Sequence, residues 1–272
     1  MTQIAFIGGG NMATSIIGGL IKQGDISPAS ISVSDPGADK REKLHNDFGV
    51  NTCADNIDAI AKAEVVIMAV KPQVMKDVLS PMKSTLENRQ PLLISIAAGI
   101  SMESLSSWSG CKAIVRCMPN TPALLSEGAT GLYANAEVHL DQRNMADSLL
   151  RAAGITVWVK EEAELDAVIA VSGSGPAYYF LLMEAMINAG EKLGLTAETA
   201  TKLTLQTALG AARMALEADV DPAELRRRVT SPGGTTQQAI ETFEGAHMRE
   251  MVEAAMKAAH DRGAELSKEL GD

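Results

Sequence analysis

Two glycine-lined stretches carry the residue types from which chemistry can be built. The first, Gly8, Gly9, Gly10, Asn11, Met12 and Ala13, has the spacing G-x-G-x-x-G/A between an apolar run (Ile4 to Ile7) and a helical pattern. In such a unit Gly8 permits a tight turn, Gly10 lets a pyrophosphate approach the backbone, and small Ala13 packs helix on strand. The helix N-terminus behind them favours anions through its free N–H groups and dipole. The second stretch, Ser231-Pro-Gly-Gly-Thr-Thr236, exposes successive N–H groups before another helix, which suits a small carboxylate. Ser172-Gly-Ser-Gly-Pro176 is a third glycine-rich helix entry. Each of the last two reads equally well as a plain helix connection.

Ligands in doubly wound sheets lie beyond the carboxyl ends of the strands. That rule selects Ser34 and Asp35, then Ala69, Val70, Lys71 and Pro72, then Ala97, Ala98 and Gly99, and finally Pro119 to Pro122. Small residues at 69–70 and at 97–98 would let a flat nicotinamide and its ribose approach the backbone. Lys71 reads as a ribose or phosphate contact or as an exposed strand-closing lysine. Asn56 reads as a helix cap or as a ribose contact. An acid such as Asp35 ordinarily receives ribose hydroxyls and repels a 2′-phosphate, whereas Ser34, Lys40 and Arg41 nearby suit a phosphate. The sequence leaves NAD against NADP open.

The missing groups are informative. Alcohol dehydrogenation needs a base, usually His or Lys. His45, His139, His247 and His260 fall on predicted helices or away from strand ends, and no lysine lies between Lys160 and Lys192. Reduction of a C=N bond dispenses with a strong base, because a protonated imine is already electrophilic. Such an enzyme mainly positions donor and acceptor and holds the substrate charge. Cys53, Cys111 and Cys117 form no C-x-x-C pair, and with four scattered His they predict no metal site and inert thiols in a reducing cytosol.

The elements that must position these residues follow a simple order. Up to residue 160 strands alternate with helices, which predicts a parallel sheet with helices on both faces: an α/β fold with an N-terminal Rossmann-type doubly wound domain over 1–160. Residues 161–272 show no convincing strand and predict an all-α C-terminal domain with helices over Pro176–Leu193, Thr196–Ala218, Pro222–Val229, Gln237–Phe243 and Ala246–Leu270. With 3% aromatic residues and 14 methionines, the cores are built from aliphatic side chains, and the formal net charge of −10 argues against nucleic acid or anionic membrane as partner. No apolar run is expected to reach membrane-spanning length, and the N-terminus lacks the look of a signal peptide, so a cytoplasmic protein is expected. A helical region this rich in Ala, Leu and Met has difficulty hiding its apolar faces alone, which predicts a homodimer with interlocked C-terminal halves.

In order along essentially the whole chain, Ile7-Gly-Gly-Gly-Asn-Met-Ala13, Ala69-Val-Lys-Pro72, Arg116-Cys-Met-Pro-Asn-Thr-Pro122, Ser172-Gly-Ser-Gly-Pro-Ala-Tyr178 and Ser231-Pro-Gly-Gly-Thr-Thr236 resemble the pyrroline-5-carboxylate reductase family. The last two motifs are the most specific. The resemblance implies reduction of 1-pyrroline-5-carboxylate to L-proline, the last step of proline biosynthesis, with NADP(H) or NAD(H). It also implies helical dimers, often gathered into decamers. Carried over by motif, Gly8 to Ala13, Ala69 to Pro72, Ala97 and Ala98 would hold cofactor. Ser231, Gly233, Gly234, Thr235 and Thr236 would hold substrate, with Thr236 beside the ring nitrogen as the catalytic hydrogen-bond partner. Glu162 matches a family position near the substrate. Asp35 and Arg228 depart from the family pattern. A β-hydroxyacid dehydrogenase is the competing enzyme, though its lysine is missing; a nucleotide-binding regulator would need only the first domain.

Overall fold

A computed structural model describes residues 2–24 and 26–271. The chain divides into two compact units, one formed by the residues up to Ser174 together with those from Ala259 onward, the other by Gly175–Ala258.

The first unit is an eight-stranded sheet among the described residues, in the order β3-β2-β1-β4-β5-β6-β7-β8. The strands are β1 Ile4–Ile7, β2 Ile31–Ser34, β3 Asn51–Cys53, β4 Val65–Met68, β5 Leu92–Ser95, β6 Ile114–Met118, β7 Gly128–Ala134 and β8 Gly154–Trp158. The connecting helices are α1 Asn11–Gln23, α2 Ala38–Phe48, α3 Asn56–Ile60, α4 Met75–Arg89, α5 Met102–Ser109 and α6 Leu140–Arg151. Alternation along β1 shows why a buried parallel sheet needs continuous apolar runs. Ile4 and Phe6 enter the core layer with Ile16, Ile17 and Leu20 of α1, whereas Ala5 and Ile7 enter the opposite layer with Met75, Leu79, Met82 and Leu86 of α4.

One expectation is corrected here. The sheet is not wholly parallel: β7 runs antiparallel to β6 and then pairs in parallel with β8. Helix α4 carries Pro81 within it and runs on to Arg89, where Leu86 extends the buried stripe of Met75, Leu79 and Met82 by one more turn.

The chain then forms a short helix α7, Glu164–Val168, and a π-helical turn over 169–173. Helix α8 (Gly175–Lys192), α9 (Ala197–Glu217), α10 (Pro222–Arg228), α11 (Thr235–Gly245) and α12 (Met248–Gly271) follow. The helical run Glu164–Lys192 is long and apolar enough, by length and composition, to cross a membrane. This overturns the expectation that no segment reaches that length; the sequence pattern breaks at Ser172–Gly175, but the π turn carries the helical path through it. In the second unit α8 and α9 pack so closely that a Cβ at Gly190 would lie 3.1 Å from Ala200 Cβ.

Candidate active site

The order of strands reverses at the β1/β4 junction: the chain moves from β1 to β2 and β3 on one side, then returns to β4, β5 and β6 on the other. This switch point is where a crevice opens beyond the strand ends, and two loops meet in it. Gly8 N–H donates to Ser34 O at 2.7 Å, and Ala69 N–H donates to Ile7 O at 2.8 Å. Gly8 has φ +102°, and a Cβ there would lie 2.6 Å from Ala69 O, so only glycine fits. Gly10 is different. A Cβ on it would meet nothing within 4 Å, and as the N-cap of α1 it supplies no side-chain hydrogen bond. The open cradle and the uncapped N–H groups of Asn11, Met12 and Ala13 form a receptor that fits a pyrophosphate. Asn11 is exposed, Met12 half-buried and Ala13 buried under the sheet.

Asp35 is buried at the end of β2. Its Oδ2 accepts Gly9 N–H at 2.9 Å and its Oδ1 accepts Gly37 N–H at 2.8 Å. Burial pushes its pKa upward, but the two N–H donors and the Lys40 ammonium outweigh this and hold it below the ordinary carboxylate value. Ser34 Oγ lies 2.5 Å from Asn56 Oδ1, so the structure brings these two selected residues together. Asn56 does not cap α3. Asp55 does, its Oδ1 accepting Ile57 N–H at 2.6 Å, which leaves the Asn56 amide free to face Ser34.

Ala69 and Val70 are half-buried, Lys71 is exposed, and Pro72 starts a 3-10 turn leading to α4. Ala97 is buried and Ala98 half-buried after β5. Ala69, Ala97 and Ala98 each carry only a methyl group at these strand ends.

Glu162 sits between α5 and β6. Its Oε1 accepts Met102 N–H at 2.7 Å and pairs with Nη1 of Arg116, a residue buried within β6. Arg116 was visible only as part of a motif, since 46 residues separate it from its partner. Asn120 braces the same end of the sheet: its Nδ2 donates to Ser172 O at 3.0 Å and its Oδ1 accepts Ala129 N–H at 2.9 Å.

The second glycine stretch belongs to the other unit. Helix α11 starts at Thr235, two residues earlier than the sequence pattern indicates, so Thr235 and Thr236 occupy its first two positions behind an N-cap glycine, Gly234, that has no side chain to cap with. Gly233 has φ +72°. The amides of Gly233 and Gly234 already have acceptors, Gln237 Oε1 at 2.6 Å and Ser231 O at 3.0 Å. The donors left for an anion are therefore the N–H groups and hydroxyls of Thr235 and Thr236. The Gln237 contact escaped sequence reading, although its i, i+4 distance from Gly233 is a spacing that joins groups across one helical turn. Arg228, exposed, is paired with Glu224 at 2.8 Å.

A switch-point crevice with an open, glycine-lined helix start defines a dinucleotide-binding unit of the oxidoreductase type, joined here to a helical domain with a second uncapped, glycine-lined helix start. Residues 3–99 match the family model "NADP oxidoreductase coenzyme F420-dependent", and residues 162–266 match "Pyrroline-5-carboxylate reductase dimerisation". The chain is 56% identical over 270 residues to the pyrroline-5-carboxylate reductase of Pseudomonas aeruginosa, covering 99% of this chain and 98% of that protein. Among solved structures it is similar to a pyrroline-5-carboxylate reductase from Coxiella burnetii (TM-score 0.94, 48% identity, 98% of each chain). A Plasmodium falciparum pyrroline carboxylate reductase with NADP bound matches at TM-score 0.86 and 28% identity, again over 98% of each chain. The chain belongs to the pyrroline-5-carboxylate reductase family.

Proposed function

We propose that this chain reduces the C=N bond of 1-pyrroline-5-carboxylate to give L-proline, using NADP(H). The carrying observation is that both glycine-lined helix starts, Gly10 before α1 and Gly234 before α11, are left without a side-chain cap. One suits a pyrophosphate and the other a small carboxylate, the two anionic handles this reaction needs. The nicotinamide supplies the hydride when the cofactor is bound. Gly8, Gly9, Gly10, Asn11, Met12 and Ala13 hold the phosphates; Ser34, Asp35 and Asn56 shape the adenosine end; Ala69 to Pro72, Ala97 and Ala98 form the floor.

Ser231, Gly233, Gly234, Thr235 and Thr236 form the substrate loop. Thr235 and Thr236 hold the substrate carboxylate, and the Thr236 hydroxyl bonds the ring nitrogen as it gains its electron pair. Glu162 steadies this end of the first unit through Arg116.

Sequence boundaries of 1–160 and 161–272 for the nucleotide and the substrate domain accord with the dimerisation match starting at residue 162. Exposed Phe180, Leu181, Leu203 and Leu209 on α8 and α9 support a homodimer of interlocked C-terminal helices; gathering of such dimers into a decamer and work in the cytoplasm belong to the same proposal.

The test is steady-state oxidation of NADPH with pyrroline-5-carboxylate. Thr236→Ala should lower kcat about a hundredfold, the scale for removing one hydrogen bond made in the transition state, while dinucleotide affinity holds. Full activity in that variant removes Thr236 from the mechanism. Binding of NADPH without any turnover by the native protein removes the reductase reading itself.

A further inference from the structure

An acid at the end of the second strand of a dinucleotide fold normally presents its oxygens to the ribose hydroxyls and repels a 2′-phosphate. Asp35 has the position without the posture. Its carboxylate points into the glycine loop, with Gly9 N–H on Oδ2 and Gly37 N–H on Oδ1, and its side chain is only 6% exposed. Gly9 is pressed against it: a Cβ there would lie 2.7 Å from Leu44 Cδ1 and 3.4 Å from Asp35 Cβ. The acid is thus part of the loop's own scaffold. Its one long contact is to Lys40, whose ammonium stands 3.4 Å from Oδ2 at the tip of a side chain that is 59% exposed. Arg41, next along α2, is fixed differently, its Nη1 donating to Asp35 O at 2.7 Å and Pro36 O at 3.0 Å.

We infer that Asp35 builds the glycine loop and reads no ribose hydroxyl, and that Lys40 is the specificity residue, moving from Asp35 to the 2′-phosphate of a phosphorylated dinucleotide. The exchange is favourable for a plain reason. Asp35 keeps both backbone donors when the lysine leaves, so it surrenders only its longest contact. The lysine gains a partner carrying more charge than a carboxylate, and charge-assisted bonds of this kind are the strong ones. The acid keeps its charge, but both its oxygens are already engaged by donors from its own loop. This inference rests on the dinucleotide reading of the first unit given above.

Titration calorimetry on the full-length protein with 2′,5′-ADP and with 5′-ADP tests it without turnover. Lys40→Ala should lower the ratio of the two affinities about tenfold, the lower end for a bond between charged groups because the site is open to water, and Lys40→Arg should restore most of it. The NADPH-to-NADH ratio of kcat/KM should move the same way. Asp35→Asn should weaken both nucleotides alike, since it loosens the loop they share. An unchanged ratio in Lys40→Ala overturns the role of Lys40, and a raised ratio in Asp35→Asn shows that Asp35 reads the ribose after all. If Asp35→Asn does not fold, the two Lys40 variants decide. Failure of the native protein to bind either nucleotide refutes the dinucleotide reading instead, and the inference with it.

Discussion

Replacing Glu162 by alanine separates two roles that the residue's position would allow. Arg116 is 8% exposed at its side chain and Glu162 is 31% exposed. Removing one partner of a fully buried pair costs about 3–5 kcal/mol, because the other charge is left uncompensated in a medium of low dielectric. Water reaches part of the Glu162 carboxylate, so the loss here should be smaller, about 2 kcal/mol. That figure includes about 1 kcal/mol for the Met102 N–H, which loses its acceptor in the first turn of α5. The double variant Arg116→Met with Glu162→Ala removes the stranded cation and should recover about half of the loss.

Urea unfolding followed by circular dichroism, at one fixed protein concentration because assembly itself adds stability, reads the difference as a shift of midpoint at constant slope. The KM for pyrroline-5-carboxylate is measured on the same samples. An anchor predicts a large midpoint shift with KM changed less than about threefold; a change of threefold is only about 0.6 kcal/mol of binding. A stability loss below about 0.5 kcal/mol, together with a KM raised more than tenfold, would refute the anchor and make Glu162 a direct substrate ligand.

Three further outcomes follow from the glycine loop and its acid. Gly8→Ala should lose about 2–3 kcal/mol of stability and with it nucleotide binding, since φ is +102° and the new Cβ would lie 2.6 Å from Ala69 O. Gly10→Ala should stay within about 0.5 kcal/mol of native stability yet bind nucleotide at least tenfold more weakly, because its Cβ occupies the open cradle and little else; thermal unfolding with NADPH titration checks both. The pKa of Asp35 is lowered in the folded chain, so its charged form stabilises the fold fully above the ordinary value of 3.8 and that contribution fades as pH falls through the lowered value. Thermal scans from pH 6 down to about 2 should therefore show a shallower acid limb for Asp35→Asn than for the native chain. Parallel limbs would show that the acid is no more favoured in the fold than in the unfolded chain.

What could be read in the sequence is what neighbouring residues cause. Gly8 and Gly10 announce themselves because a tight turn and an open helix start are local demands. The continuous apolar run of β1 does the same for the sheet. The direction of β7 is not local: Val115 opposite Ala134 and Met118 opposite Gly131 are pairings across a loop, and a strand pattern is identical in either direction. Asp55 and Asn56 illustrate a finer limit. Both residue types cap helices well, and only the backbone decided that Asp55 takes Ile57 N–H while Asn56 turns to Ser34. The acid Asp35 had the right address and an unexpected orientation, because Gly9 and Gly37 offer N–H groups closer than any ligand can.

The second unit poses a separate physical question, which bears on the substrate loop. Within α8 and α9 only Gly175, Ala200 and Thr204 are buried among the described residues. Phe180 is 63% exposed, Leu181 68% and Leu203 56%. The contact between Gly190 and Ala200 explains the arrangement: two helices that meet through small residues approach closely, and their large apolar side chains are left facing elsewhere. A water-exposed face of this extent is rare on a monomer, and it is the same composition that gives the run Glu164–Lys192 membrane-spanning length. A second copy covers such a face symmetrically, which accords with the match to a dimerisation domain over 162–266. The loop from Ser231 to Thr236 stands on this same unit, between α10 and α11. On the proposed reading the loop stands on a helical layer whose exposed apolar face a second copy would cover, so substrate affinity should rise and fall with subunit association.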